Sequence, residues 1–267
     1  RGHARRARAL MQPTARAARG MVVSSHHLAA QAGLAVLRAG GNAIEATIAA
    51  AATISVVYPH MNGLGGDGFW LIATPGEAAP TAILGVGRAG QAVDAAYYRA
   101  RGLDAIPARG PLAANTVAGT VSSWAAAHEI ARAWGGRLPL AALLEDAIHH
   151  ARAGVPVTRG HCDMVAAKAG EMRDLAAWRR LFLANGAPAP GDLLKQPALA
   201  ETLEALARDG LDGFYRGALA RRIAADLARA GSPLTASDLA AHRAMVTPPA
   251  TVRIGAGTLY NLSLIHI

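Results

Sequence analysis

Apolar side chains recur at helical spacing along residues 26–38, with Leu28, Ala32, Ala35 and Val36 on one face, which predicts a helix there. Ser24 and Ser25 precede it, and Gly40-Gly41 stop it in the manner of helix C-terminal glycines. Asn42 then reads as an N-cap, and Glu45, three positions on, completes capping-box spacing. The stretch 43–57 is apolar all round: between Ala46 and Tyr58 only Thr47, Thr53 and Ser55 interrupt it. Such a segment falls short of the ~20 residues that cross a bilayer, so it predicts a buried core helix ending at Pro59.

Further on the period changes. The glycine-rich run 63–68 leads into a strand pattern at 69–74, a Pro75-Gly76 turn and a partner strand at 81–86. Helical spacing returns at 122–134, closed by Gly135-Gly136, and at 139–153, with proline at its start and Gly154 after its end. Residues 159–230 are mostly helical in pattern, broken by a Pro/Gly loop at 185–192. Thr235 and Asp238 restart a short helix, and 251–254 and 258–260 suggest strands. No internal repeat is present.

Composition narrows the class. Hydrophobic residues make up 52% and aromatics only 4%, so the core is built from small side chains, which suits helices lying flat on a sheet and excludes a disordered chain. The net charge of +9 is concentrated: residues 1–20 carry six arginines and no acid, and the remainder stands at +3. Lysine is nearly absent, only Lys168 and Lys195, and no stacking aromatics are interleaved with the charges, so nucleic-acid binding is not expected. Cys162 is the one cysteine, which rules out a disulfide framework and a paired-cysteine metal site. The arginine-rich start reaches Pro13 and Thr14 without an apolar export signal, so a cytoplasmic setting is expected, or a periplasmic or secreted one if the N-terminus is truncated. Three parts follow: a basic, disordered arm at 1–20, with Met11 as a candidate start; one domain at 21–260; and a non-native tail at 261–267, where residues 262–267 read as a translated adapter.

The glycine run is not a phosphate loop. That chemistry needs strand, loop and then helix, so that a helix N-terminus faces the anion; here the order is helix, loop, strand, and no Lys-Ser or Lys-Thr follows. His149, His150, His161 and Cys162 raise the question of zinc, but adjacent helical histidines diverge by about 100° and cannot both ligate one ion, so no metal is expected. The His26-His27 pair suits helix capping, and Trp124, Trp134 and Trp178 suit core or interface anchoring. No Gly-x-Ser-x-Gly elbow occurs, so a serine triad lacks support.

Ordered motifs resemble those of gamma-glutamyltranspeptidases. They are Ser24-Ser25-His26-His27-Leu28-Ala29 with Gly40-Gly41-Asn42-Ala43-Ile44-Glu45-Ala46; Pro59-His60-Met61-Asn62-Gly63-Leu64-Gly65-Gly66-Asp67-Gly68-Phe69; Asn115-Thr116-Val117-Ala118-Gly119-Thr120; Ala153-Gly154-Val155-Pro156-Val157-Thr158; Phe214-Tyr215-Arg216-Gly217; and Leu234-Thr235-Ala236-Ser237-Asp238-Leu239. The resemblance implies an α+β chain, the large-subunit portion of a four-layer αββα N-terminal-nucleophile hydrolase, with an incomplete sheet. It implies a precursor that cuts itself before a threonine, whose hydroxyl attacks an amide and whose α-amine is the base. No Thr-Thr pair occurs in this chain, so no catalytic nucleophile is assigned here. The implied partners are the small subunit of the same precursor and a small carboxylate-bearing amide, with no cofactor, metal, nucleic acid or membrane.

Arg88 sits where that family places a substrate-gripping arginine, whose planar fork suits a carboxylate. Typical transpeptidases follow it with an acid and Ala-Pro; here the run is Gly87-Arg88-Ala89-Gly90. That run, with Tyr58-Pro59-His60-Met61-Asn62 and Ala113-Ala114-Asn115-Thr116-Val117, is similar to the branch containing oxamate amidohydrolases. A γ-glutamyl and an oxamate-type substrate both remain open, as does a non-catalytic helical binding module.

Overall fold

The computed structural model describes residues 14–255 and 257–262. Of the basic arm read at 1–20 and the non-native tail read at 261–267, residues 1–13 and 263–267 lie outside the described residues, while Asn261 pairs with Ala250. In chain order the elements are α1 (His27–Arg38), α2 (Ala43–Val57), β1 (Gly68–Ile72), β2 (Thr81–Gly85), α3 (Ala95–Arg99), α4 (Thr120–Ala133) and α5 (Leu140–Ala153). Then come β3 (Val155–Pro156), α6 (Arg159–Met172), α7 (Ala176–Phe182), β4 (Leu193–Leu194), α8 (Pro197–Asp209), α9 (Gly213–Arg216), α10 (Ala218–Ala230), α11 (Ala236–Ala241), β5 (Met245–Thr247), β6 (Ala250–Ile254) and β7 (Gly257–Asn261).

α2 is the hub. It packs against α1, α4 and α5, and Ile48 and Val56 are fully buried, as its all-round apolar sequence requires. The Asn42 side chain accepts from the Ile44 and Glu45 amides while Glu45 accepts from the Asn42 amide, closing the expected capping box. Both residues also reach further: Asn42 donates to the Ala131 carbonyl at 3.0 Å, and Glu45 accepts from the Leu138 amide at 3.0 Å. Thus the start of α2 is riveted to the end of α4. Gly40 and Gly41 end α1 through paired bonds to Leu37 and Val36, with Gly40 at φ +88°.

The buried face of α1 is the expected one except at Ala35. Ala29, Ala32, Gly33 and Val36 face inward, whereas Ala35 is exposed. α2 approaches along Gly33, where a β-carbon would stand 2.8 Å from the Ala46 carbonyl oxygen, so this small residue joins the buried face, and Leu28 packs against the core as expected.

Three strands form the main sheet, in the order β1-β2-β5, all antiparallel. The sequence pattern did not reveal β5, only three residues long, nor the two-residue strands β3 and β4. Trp70 pairs with Ile83 on the sheet face covered by α4, and the Trp70 indole donates to Ser123 Oγ at 2.9 Å. On the other face Phe69 pairs with Leu84, and Leu84 with Met245; Leu71 neighbours them, 44% exposed, and Met245 is 50% exposed. Strands that are apolar on both faces belong in the middle of a layered structure. No described helix is long and apolar enough to cross a membrane.

Candidate functional site

Arg88 lies just past β2 on a segment pinned at four successive points. Gly87 N–H donates to Asp67 Oδ1 at 3.0 Å, and the Arg88 carbonyl accepts from the Val117 amide at 2.9 Å. Ala89 bridges to Thr116, and Gly90 N–H donates to the Asn115 carbonyl at 2.9 Å. Beyond them Gln91 N–H donates to Asp238 Oδ1 at 2.8 Å. Burial works against the Asp238 carboxylate, but bonds from the Thr235 hydroxyl and the Gln91 and Thr235 amides hold its pKa below the ordinary value.

Two glycines make this crossing. A β-carbon on Gly87 would lie 1.7 Å from the Val117 carbonyl oxygen, and one on Gly119 would lie 1.9 Å from the Gly85 carbonyl oxygen. Backbones can pass this closely only where side chains are missing. Behind the crossing, the N-terminus of α4 receives the glycine loop: the Gly66 carbonyl accepts from the Gly119 and Thr120 amides and from Thr120 Oγ1, which also reaches the Asp67 carbonyl. A protein carbonyl therefore occupies the helix end, which agrees with the reading against a phosphate loop.

The Arg88 side chain is exposed and forms no ion pair among the described residues. Asp67, also exposed, spends one oxygen on the N–H of Gly87, the residue before Arg88, and forms no ion pair with Arg88. An always-charged fork on a rigid backbone, open to solvent, is suited to capturing an external carboxylate. Asp67 also lines, with Asn62, Phe69 and Thr120, a groove of about 360 Å³ between α2 and the glycine loop.

A buried polar cluster underlies the site. Ser122 Oγ donates to the Gly119 carbonyl at 2.7 Å and meets His242 Nε2 at 2.9 Å. With the serine proton committed to Gly119, the imidazole acts as donor through Nε2, and its buried Nδ1 has no partner. This is a Ser–His pair running the wrong way for nucleophilic attack, with no acid orienting the ring. Burial lowers the His242 pKa; Asp67 raises it and Arg88 lowers it further, so both charges are felt there. Tyr215 OH donates to the Ala118 carbonyl and accepts from the Ser122 amide, and burial pushes its pKa up to about 12.

His149 is exposed on α5, whereas His161, on α6, is buried between the rings of His60 and Phe182. His26 caps α1, accepting from the Leu28 amide. Trp124 is buried in the core, while Trp134 is 38% exposed at the end of α4 and Trp178 is half-buried on α7. Sequence reasoning gave no role to Asp67, Ser122, Tyr215 or His242. Asp67 was visible as the one charge in the glycine loop, but Ser122 and His242 are 120 residues apart and share no motif.

The family model described as gamma-glutamyltranspeptidase matches residues 29–266. The chain belongs to the gamma-glutamyltranspeptidase family. It is 53% identical over 246 residues to the oxamate amidohydrolase proenzyme of Klebsiella pneumoniae, covering 91% of this chain and 46% of that protein. It is 42% identical over 224 residues to a glutathione hydrolase-like proenzyme of Bacillus subtilis, covering 84% of this chain and 42% of that one. The structure superposes on Helicobacter pylori gamma-glutamyltranspeptidase with a TM-score of 0.85 at 27% identity, over 95% of this chain and 72% of the other. It superposes on the cephalosporin acylase of Bacillus halodurans with a TM-score of 0.82 at 35% identity, over 91% and 46%. The chain spans about half the length of the curated relatives it matches. Its fold is the α+β, large-subunit portion of an N-terminal-nucleophile hydrolase, as the family motifs implied.

Proposed function

We propose that this chain is the large-subunit portion of a proenzyme that breaks the amide bond of a small carboxylate-bearing substrate, with Arg88 as the carboxylate grip. The observation that carries the reading is the Arg88 segment itself: a backbone pinned from Gly87 to Gln91 presents an exposed guanidinium that pairs with no acid among the described residues. The nucleophile is a threonine hydroxyl outside residues 1–267, freed by self-cleavage and using its own α-amine as base. It forms an acyl-enzyme with the substrate, which water or an amine then resolves. The small subunit that carries it covers the apolar sheet face of Phe69, Leu71, Leu84 and Met245.

Oxamate is the first substrate to test, since the relative named as an oxamate amidohydrolase is 53% identical and Gly87-Arg88-Ala89-Gly90 departs from the transpeptidase run. A γ-glutamyl amide is the second reading, favoured by the 0.85 TM-score to a gamma-glutamyltranspeptidase. The full-length precursor is expected to split into two fragments on a denaturing gel and to release ammonia from oxamate faster than it cleaves a γ-glutamyl anilide. An uncleaved precursor that acts on neither compound would overturn the reading. Residues 21–260 expressed alone are expected to be poorly soluble; a cooperative, soluble monomer would favour a self-sufficient binding module.

A further inference from the structure

Hydrolysis of a carboxylate-bearing amide changes the charge that the site must hold. Water adds across the C–N bond, the neutral amide becomes a carboxylate, and the nitrogen leaves as ammonium; oxamate, a monoanion, becomes oxalate, a dianion. A cation alone grips the product more strongly than the substrate, because Coulomb attraction grows with ligand charge. A site built only from Arg88 would therefore be held by its own product.

Asp67 stands against that outcome. Its carboxylate is anchored one residue from Arg88 by the Gly87 N–H at 3.0 Å, and its carbonyl is fixed by Thr120 Oγ1 at 2.9 Å. It is exposed, lines the groove between α2 and the glycine loop, and forms no ion pair with Arg88. An acid that pairs with the neighbouring arginine would block substrate. Held by the Gly87 amide, it leaves the guanidinium open while adding a fixed negative charge to the segment that carries Arg88.

We propose that Asp67 is a specificity-determining residue that disfavours dianions at the Arg88 site, so that the amide is held and the newly formed dicarboxylate is expelled. This rests on the reading of Arg88 as the carboxylate grip. With the screening of a protein surface, one added negative charge within a Debye length of the bound anion is worth about tenfold in affinity.

The test uses the full-length, self-cleaved protein. The inhibition constant of oxalate is divided by the KM of oxamate for wild type, Asp67→Asn, Asp67→Ser and Asp67→Glu, with thermal melts run beside the kinetics. Asp67→Asn and Asp67→Ser keep an acceptor for Gly87 N–H and lose the charge, so the ratio is expected to fall about tenfold; Asp67→Glu is expected to hold it near the wild-type value. An unchanged ratio in both neutral variants, with melts like wild type, overturns the inference. Arg88→Ala separates the two ideas: if it weakens oxamate and the Asp67 ratio stays flat, only the charge filter fails. If Arg88→Ala leaves oxamate binding intact, or the wild type does not turn oxamate over, the grip and the filter fail together.

Discussion

Gly87 and Val117 pass so closely that a β-carbon on Gly87 would stand 1.7 Å from the Val117 carbonyl oxygen. The adjoining Val117 N–H to Arg88 carbonyl bond, 2.9 Å long, fixes the direction in which the chain leaves β2. Nothing soft lies in the way, because the clashing atoms are backbone. Gly87→Ala is therefore expected to destabilise the chain by more than about 4 kcal/mol, read as a large fall in the urea midpoint or loss of soluble protein. Near-wild-type stability would show that the crossing can open without consequence.

Glu45 rivets the helices. It is fully buried and accepts from two amides, Asn42 at 2.8 Å and Leu138 at 3.0 Å, the second joining α2 to the turn after α4. Truncation in Glu45→Ala orphans both donors and leaves a cavity, so a loss of about 2–4 kcal/mol is expected in urea unfolding. Glu45→Gln, which keeps one carbonyl acceptor, should lose less; equal losses would mean that packing, not hydrogen bonding, sets the value.

These two sites show what the sequence could and could not reveal. The capping box of Asn42 and Glu45 was legible because both residues lie within one helical turn. The bond from Leu138, 93 positions away, was not, since local periodicity carries no information about distant donors. Likewise the long helices and the β6–β7 hairpin followed from hydrophobic spacing, whereas β5 was invisible at three residues. The proposal of Arg88 as a carboxylate grip draws its sequence support from family resemblance alone. The Arg88 cradle depends on Asp67, residues 115–117 and Asp238, which are scattered over the chain and meet only after folding.

For Arg88 itself, the expected kinetic signature is specific. In the full-length protein, Arg88→Ala is expected to raise the KM for a carboxylate-bearing amide by about 10–100-fold, with a smaller effect on kcat, because a charge-assisted contact is lost from substrate and transition state alike. Arg88→Lys keeps the charge but not the fork, and should recover only part of the loss. A substrate whose carboxylate is replaced by a neutral amide should hardly distinguish wild type from Arg88→Ala. If that neutral analogue suffers equally, Arg88 is not reading the carboxylate.

A row of rings makes the chain sensitive to acid. His26 at the start of α1, Tyr58 at the end of α2, His60 in the turn that follows it, His161 on α6 and Phe182 on α7 lie in sequence, with His60 and His161 centroids 4.9 Å apart. Burial, and then His60, lowers the His161 pKa to about 4, and burial lowers His26 and His60 too. His26 Nε2 and His60 Nδ1 are buried without partners, so no anion waits for an added proton. Unfolded histidine titrates near 6.5, so below that pH the unfolded chain binds more protons than the native one. The stability contributed by keeping His161 neutral is whole above pH 6.5 and is lost as pH falls from 6.5 towards 4. For His161 alone that loss is on the order of 3 kcal/mol. Melting temperature is therefore expected to drop steeply between pH 6.5 and 4.5, and His161→Phe, which keeps a ring against Phe182 but cannot protonate, should flatten the slope. An unchanged slope in that variant would assign the acid sensitivity to groups outside this stack.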